Sequence, residues 1–229
     1  MDFFSHLHFP PWLPGKVVLF ICLLALVFSL YRRRHAWKEI SLPARRGFWL
    51  LLVLSVLINI TPLLAVSAQN PLIPIGSDGL TEITLLAHAP IVLAAGWWGG
   101  GFAVTLALAG GLANTLKQGS HLFMLLEWAM IAGVISFLVR QDYTGGLSAL
   151  LRRPIASTLT AAVLVWPLQL AFLILDQGPS GLAQLDMIIA RWFGRAPPLF
   201  VSLLVAGVLG ELAKVIAPNL WFRKIPRRL

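Results

Sequence analysis

The chain has 229 residues, of which 58% are hydrophobic and only 12% charged, with a mean hydropathy of +0.83 and a net charge of +9. Soluble domains lie nearer about 45–50% apolar and about 25% charged, so the composition excludes a soluble enzyme, a disordered tail, a collagen-like chain and a nucleic-acid-binding module. A single cysteine, Cys22, excludes a disulfide framework and a multi-cysteine metal site.

What remains is an all-α, polytopic membrane helix bundle. A membrane helix needs about 20 mostly apolar residues, and seven stretches qualify in chain order: 13–31, 48–67, 81–95, 101–116, 121–139, 155–175 and 199–217. The first is expected to be a retained N-terminal helix, since no basic stretch precedes it and no small-residue cleavage site follows. With its basic loop it forms a first unit, residues 1–46. The other six form a core over 47–229. The third and fourth stretches are separated only by Gly96-Trp97-Trp98-Gly99-Gly100, which is poor helix interior and is expected to be a turn. The loop 70–79, with Pro71, Pro74, Gly76 and Gly79, is expected outside the membrane. Residues 181–195 carry apolar side chains near helical spacing and are expected to form a short interfacial helix. Pro197-Pro198 is expected to end it before the last span.

Basic residues set the orientation. One set of loops holds Arg32, Arg33, Arg34, Lys38, Arg45, Arg46, Arg140, Arg152, Arg153, Lys214, Arg223, Lys224, Arg227 and Arg228. The other side holds Lys16, Lys117, Arg191 and Arg195. This asymmetry of 14 to 4 predicts an extracytoplasmic N-terminus and a cytoplasmic C-terminus in an inner (cytoplasmic) membrane.

Polar side chains inside hydrocarbon are costly and mark candidate sites. Counted at 1.5 Å per residue, Asn59 lies about 12 Å below the outer surface, His88 about 10 Å, and Asn114, Glu127 and Gln169 about 5–9 Å. Five polar side chains from five helices thus share the outer half. Trp128 lies at the same depth and, with Trp166, has the planar ring to stack on a ligand. Ser77 and Asp78 fall in the 70–79 loop, which has the composition of a lid. Two readings stay open for the amides: ligand contacts, or interhelical hydrogen bonds worth about 0.6–2 kcal/mol each. Glu127 is harder to treat as glue, because a lone carboxylate several turns deep must be paired, protonated or wet. Ala103, Ala107 and Gly111, spaced four apart, form a small-residue ridge that permits close packing, and Asn114 continues that face. No nucleophile-base spacing, phosphate loop or metal-ligand spacing is present, so neither an enzyme nor a bound cofactor is expected.

The run TEITLLAHAPIVLAAGWWGGGFAVTLALAGGLANTLKQG, with Ala89-Pro90-Ile91-Val92-Leu93-Ala94-Ala95 followed by Gly96 to Gly101, resembles the central part of substrate-binding subunits of energy-coupling-factor vitamin transporters. The six stretches from Phe48 onward match that family's helix count. The stretch 112–140, with Glu127, Gly133 and Arg140, is similar to the multi-helix membrane sensor domains of LytS-type histidine kinases. The first resemblance implies a protein that binds a small solute from outside through His88, Asn114, Glu127, Trp128, Gln169, Asn59 and Asp78. It implies as partners the bilayer, a transmembrane coupling subunit and ATPases. The second implies a ligand-sensing input domain. A non-catalytic scaffold subunit of a membrane complex is the third class.

Overall fold

The computed structural model describes residues 9–32, 41–61, 65–69, 80–118, 121–142, 144–183 and 185–221. Its helices are α1 (Leu13–Arg32), α2 (Leu42–Ile60), α3 (Ala89–Trp97), α4 (Gly100–Gln118), α5 (Phe123–Arg140), α6 (Gly146–Leu151), α7 (Pro154–Leu182) and α8 (Leu185–Ile216). A two-stranded ribbon, β1 (Ala65–Gln69) and β2 (Leu80–Thr84), lies between α2 and α3. Five of the helices, α1, α2, α5, α7 and α8, are long and apolar enough to cross a membrane. The fold is that of a helical, multi-pass membrane protein.

Three expected boundaries move, the first at a proline, the second at β-branched residues and the third where packing overrides two prolines. The second span does not run on to residue 67. Pro62 follows Thr61, whose backbone is extended (φ −85°, ψ 139°), and a residue before proline avoids the helical region. α2 therefore stops at Ile60 and the chain turns into β1. The expected helix over 81–95 is also corrected. Thr81, Ile83 and Thr84 favour a strand, and β2 pairs antiparallel with β1, Val66 opposite Ile83 and Ser67 opposite Glu82. The helix begins only at Ala89, with Pro90 in its first turn, where the missing N–H has no partner to lose. The third correction concerns Pro197-Pro198. They do not end a helix, because α8 runs through them for 32 residues. Two prolines remove two ladder bonds, and close packing along α7 and α3 holds the helix together.

The break at the glycines is where it was expected, but shorter. Gly96 and Trp97 belong to α3, and Gly99, at φ +104°, makes the turn into α4. Arg140 fills the space there, and its Nε donates to the Ala95 carbonyl at 3.2 Å. Trp221 is buried against Gly96, where a methyl group would overlap its ring.

α3 is the hub. It packs against α2, α4, α5 and α8, and Ile91, Val92, Ala94 and Ala95 are fully buried. A helix apolar on every side belongs in an interior, and here that interior is a ring of longer helices. The ridge Ala103, Ala107 and Gly111 faces inward on α4, with Gly111 against the ring of Trp128. α1 stands at the edge. It touches α5 and α7, and the Trp12 indole donates to the Leu175 carbonyl while lying over Gly178, which has φ +66°.

Candidate functional site

Nine residues of helix span about 14 Å, roughly half of a hydrocarbon core. α3 therefore fills only part of the ring that surrounds it. At its N-terminal end lies a cavity of about 440 Å³. Its floor is Thr84, Ala87 and His88. Asn59 enters from the last turn of α2, Asn114 and Lys117 from α4, and Met124, Glu127, Trp128 and Ile131 from α5. Gln169 enters from α7, and Arg195, Pro198, Leu199 and Ser202 from α8.

Six of the seven residues singled out in the sequence, Asn59, His88, Asn114, Glu127, Trp128 and Gln169, line this one cavity. Asp78 lies outside the described residues. The depth count that grouped them rests on helices that differ from the real ones. Asn59 sits at the end of α2 rather than mid-helix, and His88 caps α3 rather than lying inside a helix. The two stay together because α2 ends beside the start of α3, where Asn59 Nδ2 also approaches the Ala87 carbonyl at 3.5 Å.

The walls are ordered by a chain of polar contacts. Glu127, 2% exposed, accepts a hydrogen bond from Gln169 Nε2 at 2.9 Å and lies 3.6 Å from Arg195 Nη1. Arg195 Nη1 also donates to His121 Nε2 at 2.8 Å. His121 lies in the turn before α5, outside the spanning helix. Burial, with the Arg195 charge beside it, lowers its pKa to about 3, so the imidazole is neutral. His88 stacks on Trp128 at 4.5 Å with the rings 27° apart, and its Nδ1 lies 2.9 Å from Ser202 Oγ. Asn59 Nδ2 donates to the Ser55 carbonyl at 2.8 Å. Asn114 Nδ2 reaches only the Met124 sulfur, at 3.6 Å, and a thioether is a weak acceptor.

The stacking role expected of the two tryptophans is not available. Trp128 already carries His88 on its ring and has the Gly110-Gly111 backbone against it. Trp166 is outside the lining and stacks on Trp192 at 4.5 Å, 11° from parallel. The two tryptophans exchange hydrogen bonds, Trp192 Nε1 to the Trp166 carbonyl at 2.7 Å and Trp166 Nε1 to the Trp192 carbonyl at 3.4 Å. This clasp fixes the segment of α8 that carries Arg195.

The chain matches no protein-family model, no curated protein and no solved structure.

Arg195, expected on an interfacial helix, and Ser202, not singled out in the sequence, are further functional candidates. The expected stop at Pro197-Pro198 put Arg195 on an interfacial helix. On one continuous helix, residues 195, 198, 199 and 202 share a face, and that face meets the cavity. Four buried polar atoms on the walls have no hydrogen-bond partner among the described residues: Asn59 Oδ1, His88 Nε2, Glu127 Oε1 and Gln169 Oε1. An unpaired buried polar atom costs about 1–3 kcal/mol. Four around one cavity is therefore several kcal/mol of unused binding capacity.

Proposed function

We propose that this chain is an integral membrane protein that binds a small solute in the cavity at the end of α3, entering from the extracytoplasmic side. The observation that carries the reading is the convergence of Asn59, His88, Asn114, Glu127 and Gln169, from separate elements, on one space of about 440 Å³. Ligand sites are concave, mostly apolar and hold a few convergent polar groups. Residues serving only as glue between helix pairs have no reason to share a cavity, and a scaffold subunit has no use for one.

The role we infer is that of a substrate-binding subunit of a transporter, resembling those of the energy-coupling-factor family. It works without covalent chemistry, beside a transmembrane coupling subunit and ATPases. In this reading α3 and α4 together count as two of seven passes. The N-terminus lies outside, the C-terminus in the cytoplasm, and the membrane is the cytoplasmic one. Arg195 and Gln169 hold the Glu127 carboxylate in place, and His88 and Asn59 line the same cavity.

The test is native mass spectrometry of the detergent-purified chain. A stoichiometric small molecule should travel with the wild-type protein and be lost or reduced in Glu127→Gln, with the circular dichroism of the two proteins unchanged. Wild-type protein that carries nothing, and shows no thermal stabilisation with any member of a broad solute library, would sink the reading.

A further inference from the structure

The unpaired wall atoms define what the cavity can take. Asn59 Nδ2 is held by the Ser55 carbonyl, a group that only accepts, so the amide cannot flip and Oδ1 is the atom left over. Gln169 Nε2 is held by the Glu127 carboxylate, which leaves Oε1. The second Glu127 oxygen, Oε1, has only the charge of Arg195 at 3.6 Å. His88 follows from proton counting. Ser202 owns one hydroxyl proton, and its Oγ donates to the Leu199 carbonyl at 3.2 Å. In the tautomer in which that hydroxyl keeps the Leu199 carbonyl, His88 Nδ1, 2.9 Å away, donates to Oγ and Nε2 carries the bare lone pair. Three of the unpaired atoms are oxygens that accept, His88 Nε2 accepts in that tautomer, and the residues that bear them are at most 5% exposed.

The cations on the wall are in a different position. Arg195 is drawn to Glu127 and donates to His121. Lys117 is likewise not free. The charges that would welcome an anion are engaged, whereas the atoms that would welcome a donor are not.

We propose that the solute is a small molecule whose polar edge carries several N–H donors, an amine, amidine or amino-substituted ring, and that the cavity discriminates against carboxylates and other acceptor-only molecules. This rests on the reading of the cavity as a solute site. An N–H-rich edge satisfies Asn59, Gln169, Glu127 and His88 together, whereas an acceptor-only molecule leaves all four unpaired and adds its own oxygens to them. The rival is an anion drawn by Lys117 and Arg195.

Benzamidine and benzoate share a ring and a size, but benzamidinium is a cation rich in N–H donors and benzoate is an anion that only accepts, so the pair separates the donor class from the rival anion. Both are titrated by isothermal calorimetry into the full chain in detergent, stripped of any co-purified compound. That compound is identified separately by mass spectrometry. Benzamidine should bind more tightly than benzoate by about tenfold or more, the change expected for a charge-assisted hydrogen bond gained or lost. Asn59→Leu and Glu127→Gln should each reduce that preference. Benzoate binding equally or better would overturn the proposal, as would a preference unchanged in both variants. A co-purified compound without N–H donors would overturn the donor class while leaving the solute site standing. If no compound co-purifies and neither probe binds, the solute-site reading falls and this inference with it.

Discussion

Gly110 sits where α4 packs against Ser55 and Asn59 of α2 and the ring of Trp128. A methyl group added there would lie 2.6 Å from Ser55 Oγ, 3.1 Å from Asn59 Nδ2 and 3.1 Å from the Trp128 ring. Overpacking of this kind costs about 1–3 kcal/mol, against about 1 kcal/mol gained by replacing a helical glycine with alanine. Gly110→Ala is therefore expected to destabilise the protein by about 0–2 kcal/mol net. Gly133 is the internal control, with no atom within 4 Å of the same added methyl. Gly133→Ala should keep only the propensity gain, about 1 kcal/mol of stabilisation. The clash can also be relieved from the other side. Ser55→Ala alone loses the bond to the Leu106 carbonyl, about 1 kcal/mol. Combined with Gly110→Ala it also removes the 2.6 Å contact, so the double variant should be more stable than the sum of the singles predicts. Reversible unfolding in mixed detergent micelles, read by far-ultraviolet circular dichroism, measures all four variants. The reasoning fails if Gly110→Ala stabilises as much as Gly133→Ala. It fails equally if the Ser55 and Gly110 substitutions add within about 0.3–0.5 kcal/mol, the behaviour of independent sites.

Three further outcomes are expected. Arg195→Met leaves the buried Glu127 carboxylate without its nearby cation. Breaking a fully buried pair costs about 3–5 kcal/mol, and the 27% exposure of the Arg195 side chain reduces the expected loss to about 1–3 kcal/mol. Adding Glu127→Gln should restore most of it in the same unfolding assay. His121 is neutral in the fold with its pKa lowered from 6.5 to about 3, so the unfolded chain binds the extra proton first. The stability from this residue is complete above pH 6.5 and drains away as pH falls toward 3; His121→Gln should flatten that part of the stability–pH curve, and an unchanged curve counts against the burial. For orientation, with Cys22→Ala as background, an impermeant thiol reagent should label Asp78→Cys and miss Lys38→Cys in intact cells. The reverse pattern refutes the assignment drawn from the basic residues.

Much of this site could be read from the sequence because hydrocarbon makes polar atoms conspicuous. Asn59, His88, Asn114, Glu127 and Gln169 stand out in apolar runs for a thermodynamic reason that needs no knowledge of the fold. The small-residue ridge of α4 was visible for a similar reason, since close backbone approach excludes larger side chains. Secondary structure at the prolines was less legible. Apolar composition alone gave 81–95 as a span, yet β-branched Thr81, Ile83 and Thr84 pair with β1 and leave only nine residues to the helix. A proline reads as a stop in isolation, as Pro62 proves to be, but Pro197 and Pro198 are carried within α8 by neighbours that the sequence does not reveal. That misreading hid Arg195, whose role depends on which face of which helix continues.

The length of α8 has a mechanical consequence. At 1.5 Å per residue its 32 residues make a rod of about 48 Å, longer than the hydrocarbon is thick. Arg195 lies about a third of the way along it and Lys214 near its C-terminal end, with the two missing ladder bonds at Pro197-Pro198 as its most compliant point. Whatever pulls on the guanidinium at the cavity is therefore applied to a lever. Its hinge lies two residues from the load, and its long arm reaches toward the opposite membrane face.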